Sequence, residues 1–174
     1  IVKEAPNALY VIVSNPVDIM TYVFHKISGI PEQQIIGTGT ILDTSRLQSA
    51  LAKRFHINPK NVHAHVYGEH GDSSFVPWSL AHIANNHIDV YKDRSPDKDR
   101  INWNQEYEEI EQFVKKSGGK IIERKGCTIY GIATTSMHII KTISGNAGSL
   151  LTVSSLHEGE YGIHDVCLSS LSVV

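Results

Sequence analysis

Leu9-Tyr10-Val11-Ile12-Val13-Ser14-Asn15-Pro16-Val17 sets the fold class. Its apolar run lacks the alternation of a half-solvated strand, the pattern of a strand covered on both faces in a parallel sheet. Beyond Asn15-Pro16 the period changes: Ile19, Met20, Val23, Phe24 and Ile27 recur at three- and four-residue spacing. That spacing predicts an amphipathic helix over Val17 to Ile27, stopped by Ser28-Gly29 and Pro31. A parallel strand needs neighbours and crossover helices, so the chain reads as α/β or α+β. The sequence starts at Ile1 without an initiator Met and ends in the strand-like Leu168 to Val174. The expectation is a piece of a longer protein, with the faces of Leu9 to Val13 and Val17 to Ile27 left open to solvent.

Ile35-Ile36 leads into Gly37-Thr38-Gly39-Thr40, a turn whose polar residues suit a helix cap. The helix it opens is expected from about Leu42 to Phe55, burying Leu47, Ala50, Leu51 and Phe55, with Asn58-Pro59 as its stop. Val62 to Tyr67 alternates like a strand and enters the tight polar loop Gly68-Glu69-His70-Gly71-Asp72-Ser73. Residues 85–105 are polar and contain Pro96, so a surface excursion is expected there. A helix from about Asn104 to Glu123 places Tyr107, Ile110, Val114 and Ile121 on one side, with Gly118-Gly119 expected to kink or weaken it. Ile129 to Ser144 reads as an apolar helix central to the core, and Leu150 to Leu156 as a strand.

Composition narrows the function classes. With 174 residues, 41% of them hydrophobic, the chain can bury a core. Its 16 basic and 18 acidic residues leave no basic footprint for nucleic acid or an anionic membrane. No apolar run approaches the ~18–20 residues of a membrane span. Cys127 and Cys167 are too few for a disulfide scaffold or a four-cysteine zinc site, and read as reduced thiols in a cytoplasmic protein.

Among ten histidines, His70 stands out because it is framed by glycines in a strand-to-loop turn. Asp43 and Arg46, three apart at a helix start, project to one side of that helix. A histidine held by a carboxylate has a fixed tautomer and a raised pKa, which makes it a proton donor near neutral pH. A neighbouring arginine offers a planar, two-pronged grip on a carboxylate. The trio reads as acid–base chemistry on a small anionic substrate; the bland alternative for Asp43 and Arg46 is a surface ion pair. A zinc hydrolase using His63, His65 and His70 is a rival, but their spacing matches no standard zinc motif, so no metal is expected.

Four ordered motifs carry a family resemblance: Ser14-Asn15-Pro16-Val17-Asp18, Gly39-Thr40-Ile41-Leu42-Asp43-Thr44-Ser45-Arg46, Gly68-Glu69-His70-Gly71-Asp72-Ser73, and Lys125-Gly126-Cys127-Thr128-Ile129-Tyr130-Gly131-Ile132-Ala133. The set resembles the bacterial-type L-lactate dehydrogenases of the lactate/malate dehydrogenase family over essentially the whole chain. The resemblance implies the family's C-terminal catalytic domain over 37–174, C-terminally incomplete, preceded over 1–36 by the last strand and helix of a Rossmann-type NAD-binding domain. It implies His70 as the proton donor to pyruvate and base toward L-lactate, Asp43 as its orienting partner, and Arg46 as the substrate carboxylate clamp. Thr128 then walls the substrate pocket, Ile132 lies near the nicotinamide, and Asn15, joined to Pro16 by a cis peptide, sits where cofactor and substrate meet. Glu69 favours a lactate over a malate enzyme. In allosteric members a histidine and an arginine bind a sugar bisphosphate; His63 fits the first, while Gln48 stands at the second.

The chain has no Gly-x-Gly-x-x-Gly turn for a dinucleotide and lacks the family's closing loop with its carbonyl-polarising arginine. The 174 residues alone are therefore expected to bind NAD weakly, to turn over negligibly, and to self-associate as the family does. Two alternatives stay open: a malate-type 2-hydroxy acid dehydrogenase, and a non-catalytic binding module that kept the fold.

Overall fold

The computed structural model describes residues 1–96, 98–145 and 148–174 (main chain only at Arg94). In chain order its main elements are β1 (Tyr10–Ile12), α1 (Val17–Ser28), β2 (Ile35–Gly37), α2 (Ile41–Phe55), β3 (Val62–His63), β4 (His82–Ile83), β5 (Asn86–His87), α3 (Ile88–Arg94), α4 (Trp103–Lys125), α5 (Tyr130–Gly145), β6 (Leu150–Glu158) and β7 (His164–Val173). They form two compact units. The first comprises residues 1–42, 67–74 and 129–174, the second residues 43–66 and 75–128.

The first unit is built on a sheet of order β1-β2-β6-β7. β1 runs parallel to β2, with Val11 opposite Ile36, as the apolar run predicts. β6 and β7 form a long antiparallel pair from Leu150↔Val173 to Glu158↔His164. Ile41, Ile139, Leu151 and Val153 make its core. Helix α1 buries Val17, Asp18 and Thr21, and turns Ile19, Met20, Val23 and Ile27 outward at 40–78% exposure. The open apolar face expected from the sequence is thus present. Helix α5 departs from expectation: it buries only Thr135, Ile139 and Thr142 and exposes Tyr130, Met137 and Ile140. Apolar composition all round a helix says how much could be buried, not which face finds a neighbour.

The second unit packs α2, α3 and α4 with the antiparallel sheet β3-β4-β5. Leu47 and Leu51 of α2 are fully buried among Val62, Ala64, Val66, Ile83, Ile88 and Val114. Trp78 stacks on Tyr107 at 3.8 Å between centroids, and Phe55 on Trp103 at 5.9 Å. Residues 85–105 are more than an excursion, since β5 and α3 lie there and Ile88 is 1% exposed. The strand expected over Val62 to Tyr67 is confined to Val62–His63.

Helix α4 passes through Gly118-Gly119 without a break. Each glycine costs about 1 kcal/mol against alanine, but both ends are secured. Asn102 accepts from the Gln105 N–H at the start, and Gly126 closes the end through the Ile122 carbonyl, with Arg124 and Lys125 beside it. Tyr107, Ile110, Val114 and Ser117 form its buried stripe, while Ile121 stays 38% exposed. Among the described residues no helix is long and apolar enough to cross a membrane.

Candidate functional site

The loop 67–74 belongs to the first unit and is fixed through its main chain. Gly68 bridges Ser169 of β7 by two hydrogen bonds of 2.9 Å, N–H to carbonyl in each direction. Its φ of +90° favours glycine, which suits the bridge to β7. Two residues on, the His70 N–H donates to Asp18 Oδ2 at 2.7 Å. The Ser73 hydroxyl donates to Glu69 Oε2 at 2.6 Å, and the Ser74 N–H to the Gly71 carbonyl at 3.2 Å. His70 is half-buried at the head of this turn.

The turn between β2 and α2 is tied to the same strand. The Thr40 N–H donates to Ser169 Oγ at 3.1 Å. Gly39, at φ +49°, lies so close to β6 that a Cβ there would sit 2.6 Å from the Ser154 nitrogen. Asn15 is exposed, its peptide to Pro16 is cis as the resemblance implies, and Ile132 is half-buried in the first turn of α5.

Asp18 is the residue that sequence reasoning missed. It is 6% exposed, and burial raises its pKa, against the opposing effects of the Ser154 hydroxyl and the His70 N–H. Among the described residues, Asp18 Oδ1 and Ser154 Oγ are both buried without a hydrogen-bond partner. An acid in the first turn of a helix reads as a complement to the helix dipole, and nothing in its spacing announced a partner 52 residues away. A cleft beside it is lined by Asp18, Tyr22, Glu69, Ser73, Asp165 and Cys167. Three carboxyl groups make it a poor receptor for an anionic substrate. Cys167 is buried there, and burial pushes its thiol up to about 12, which argues against a reactive thiolate.

The second unit brings Asp43 and Arg46 together. Arg46 Nη1 donates to Asp43 Oδ1 at 2.8 Å, with side chains 17% and 8% exposed. This is a sheltered pair on one helix face, not a solvated one. Thr44 Oγ1 accepts from the Val66 N–H at 3.0 Å, and Gln48 Nε2 donates to the Ala64 carbonyl at 3.3 Å, bracing α2 against residues 62–66. Thr128 is exposed between α4 and α5. His63 is exposed on β3, opposite His82, which in turn lies opposite His87. His65 is half-buried, and burial, with His63 beside it, lowers its pKa. Among the described residues no group of three or more His, Cys, Asp or Glu side chains is placed to hold a metal.

Residues 40–174 match the lactate/malate dehydrogenase alpha/beta C-terminal domain, and residues 1–37 match the lactate/malate dehydrogenase NAD binding domain. An L-lactate dehydrogenase of Clostridium botulinum is 42% identical over 175 residues, covering 100% of this chain and 54% of the relative. L-lactate dehydrogenase 1 of Clostridium acetobutylicum is 43% identical, covering 100% of this chain and 55% of the relative. The chain thus spans about half the length of the curated relatives it matches. Among solved structures, a lactate dehydrogenase from a Medee basin deep-sea metagenome library superimposes with a TM-score of 0.90 at 37% identity, over 97% of this chain and 52% of that one. The L-lactate dehydrogenase of Clostridium thermocellum gives 0.81 at 40% identity, over 94% and 52%.

Proposed function

The chain belongs to the lactate/malate dehydrogenase family, and from that premise we propose that it is the proton-transfer and carboxylate-binding part of a cytoplasmic NAD-dependent L-lactate dehydrogenase. The observation that carries this reading is the fixing of the His70 main chain at two points, by Ser169 through Gly68 and by Asp18 directly. A general acid must be held in place before the substrate arrives.

The described starts of α1 and α2 do not fit the phosphates of NAD. A dinucleotide needs free N–H groups at a helix N-terminus. Helix α1 instead opens at Pro16, which has no N–H, with buried Asp18 in its first turn. The N–H of Thr40 before α2 is committed to Ser169, and Asp43 lies in that first turn. Within residues 1–37, which match the NAD binding domain, the α1 start therefore offers no phosphate cradle.

The chain's own side chains divide the remaining work. His70 gives its proton to the oxygen of the pyruvate carbonyl and takes it back from the L-lactate hydroxyl. Asp43 orients the imidazole and stabilises its charged form. Arg46 carries five N–H donors, enough to hold a substrate carboxylate while Nη1 serves Asp43. Asn15 and Ile132 face the nicotinamide side, and Thr128 walls the substrate. His63 is left as an anion contact, without the second cation that Gln48 replaces. The exposed face of α1 and the edge position of β1 make self-association the state of the isolated chain; light scattering that shows a monodisperse monomer would remove that assignment.

Titration with NADH and then oxamate, a pyruvate mimic, tests the reading. The intact protein should bind oxamate only after NADH, and the 174-residue chain should bind neither tightly. Clear NADH-dependent pyruvate reduction by the chain alone would contradict this division of labour.

A further inference from the structure

The chemistry assigned to His70, Asp43 and Arg46 gives no task to Asp18, although the residue is 6% exposed and its Oδ1 has no partner among the described residues. The helix turns four large apolar side chains to solvent and places a carboxyl against the sheet instead. An acid that served only the helix dipole would do so equally well exposed. Asp18 also caps nothing on its own helix, whose N-cap Pro16 has no side-chain hydrogen bond. Its bonded oxygen is spent on the His70 N–H, at 2.7 Å and 52 residues away.

The consequence is geometric. Gly68 is clamped to Ser169, His70 to Asp18, and Glu69 between them is turned onto Ser73. Asp18 stands three residues after Asn15, on the same turn into α1. One carboxyl oxygen therefore links the loop that carries the imidazole to the turn that carries Asn15.

We propose that Asp18 is the positioning residue of the proton-transfer loop, registering the His70 main chain against the Asn15–Val17 turn through an acceptor oxygen rather than through charge. The role rests on His70 being the proton donor. It predicts that asparagine, which keeps the oxygen and loses the charge, is tolerated where alanine is not.

The link itself is read by NMR on the chain as it stands. The His70 amide proton should be strongly deshielded and slow to exchange in the parent and in Asp18→Asn, and should lose both properties in Asp18→Ala. An amide equally protected in Asp18→Ala overturns the proposal. In the intact protein, Asp18→Ala should lower kcat about 100-fold, the scale of a small misplacement of a catalytic group, with oxamate affinity little changed. Asp18→Asn should regain about tenfold or more of that loss. Equal losses in the two variants, or a loss confined to oxamate affinity, would count against it. Should Asp18→Ala not fold, Asp18→Asn alone decides by its amide and its kcat. Turnover unaffected by His70→Asn would remove the functional reading while leaving the amide measurement to judge the tie.

Discussion

At the start of α2, Asp43 and Arg46 meet because a helix sets residues three apart on one face, at 2.8 Å. In the 67–74 loop, His70 is fixed by a carboxyl from α1 and, through Gly68, by a strand from the other end of the chain. The first arrangement is local and comes with the helix; the second exists only once β7 and α1 are in place. A helix-borne pair tolerates loosening elsewhere in the molecule, whereas a loop held by distant elements reports on the whole of its unit.

The largest effect should come from the loop. In the intact protein, His70→Asn should lower pyruvate reduction by roughly 100- to 10,000-fold, the range of a lost general acid, with NADH binding unchanged in a fluorescence titration. A loss below about tenfold would take the proton from His70 and leave the loop as scaffold only. The next largest effect concerns packing. Leu47→Ala, at a fully buried position beside Arg46 on α2, should cost about 2–5 kcal/mol in denaturant unfolding. Ile19→Ala, on the outward face of α1, should stay within about 0.5 kcal/mol once the chain is diluted to a monomer. Similar costs at the two sites would show that the α1 face is covered in solution.

The helix-borne half is tested by Arg46→Lys. Lysine keeps the charge and loses the planar fork, so oxamate affinity should fall about 10- to 100-fold, the value of a charge-assisted hydrogen bond. Turnover at saturating pyruvate should fall less. An equal fall in both would mean that Arg46 acts on the reacting centre and not as a clamp.

The same contrast explains what could be read from sequence. The Asp43–Arg46 pair, the β1–α1 succession and the Leu47/Leu51 face follow from spacing, and each is present. Asp18 is invisible in the sequence because its partner is fixed by tertiary structure alone. Helix α5 reads as central because its composition is apolar, yet a face is buried only where another element meets it, and Met137 and Ile140 stay 51% and 48% exposed. Residues 85–105 read as loop because their apolar anchors, buried Ile88 with Tyr91 and Trp103 packed against the same core, are scattered amid charged neighbours. The glycine pair in α4 reads as a weak point, but two caps and a four-residue buried stripe outweigh about 2 kcal/mol of propensity.

The smallest predicted effect sets the two units against each other in pH. Asp18 in the first unit is raised above its ordinary 3.8 by burial. Over the interval above 3.8 the folded chain holds more protons than the unfolded one, so Asp18 makes stability fall as pH rises. His65 in the second unit is lowered below its ordinary 6.5, by burial first and by His63 second. Below 6.5 the folded chain holds fewer protons, so the contribution of His65 is complete above 6.5 and is lost as pH falls through its folded value. Thermal melts between about pH 4 and 8 should therefore shift in opposite senses in two variants. Asp18→Asn removes the decline on the alkaline side and gains on the parent as pH rises, while His65→Gln removes the acid-side loss and gains on the parent as pH falls. A shift of the same sign in both variants would mean that one group dominates the pH response, and that the two units do not titrate as separate structures.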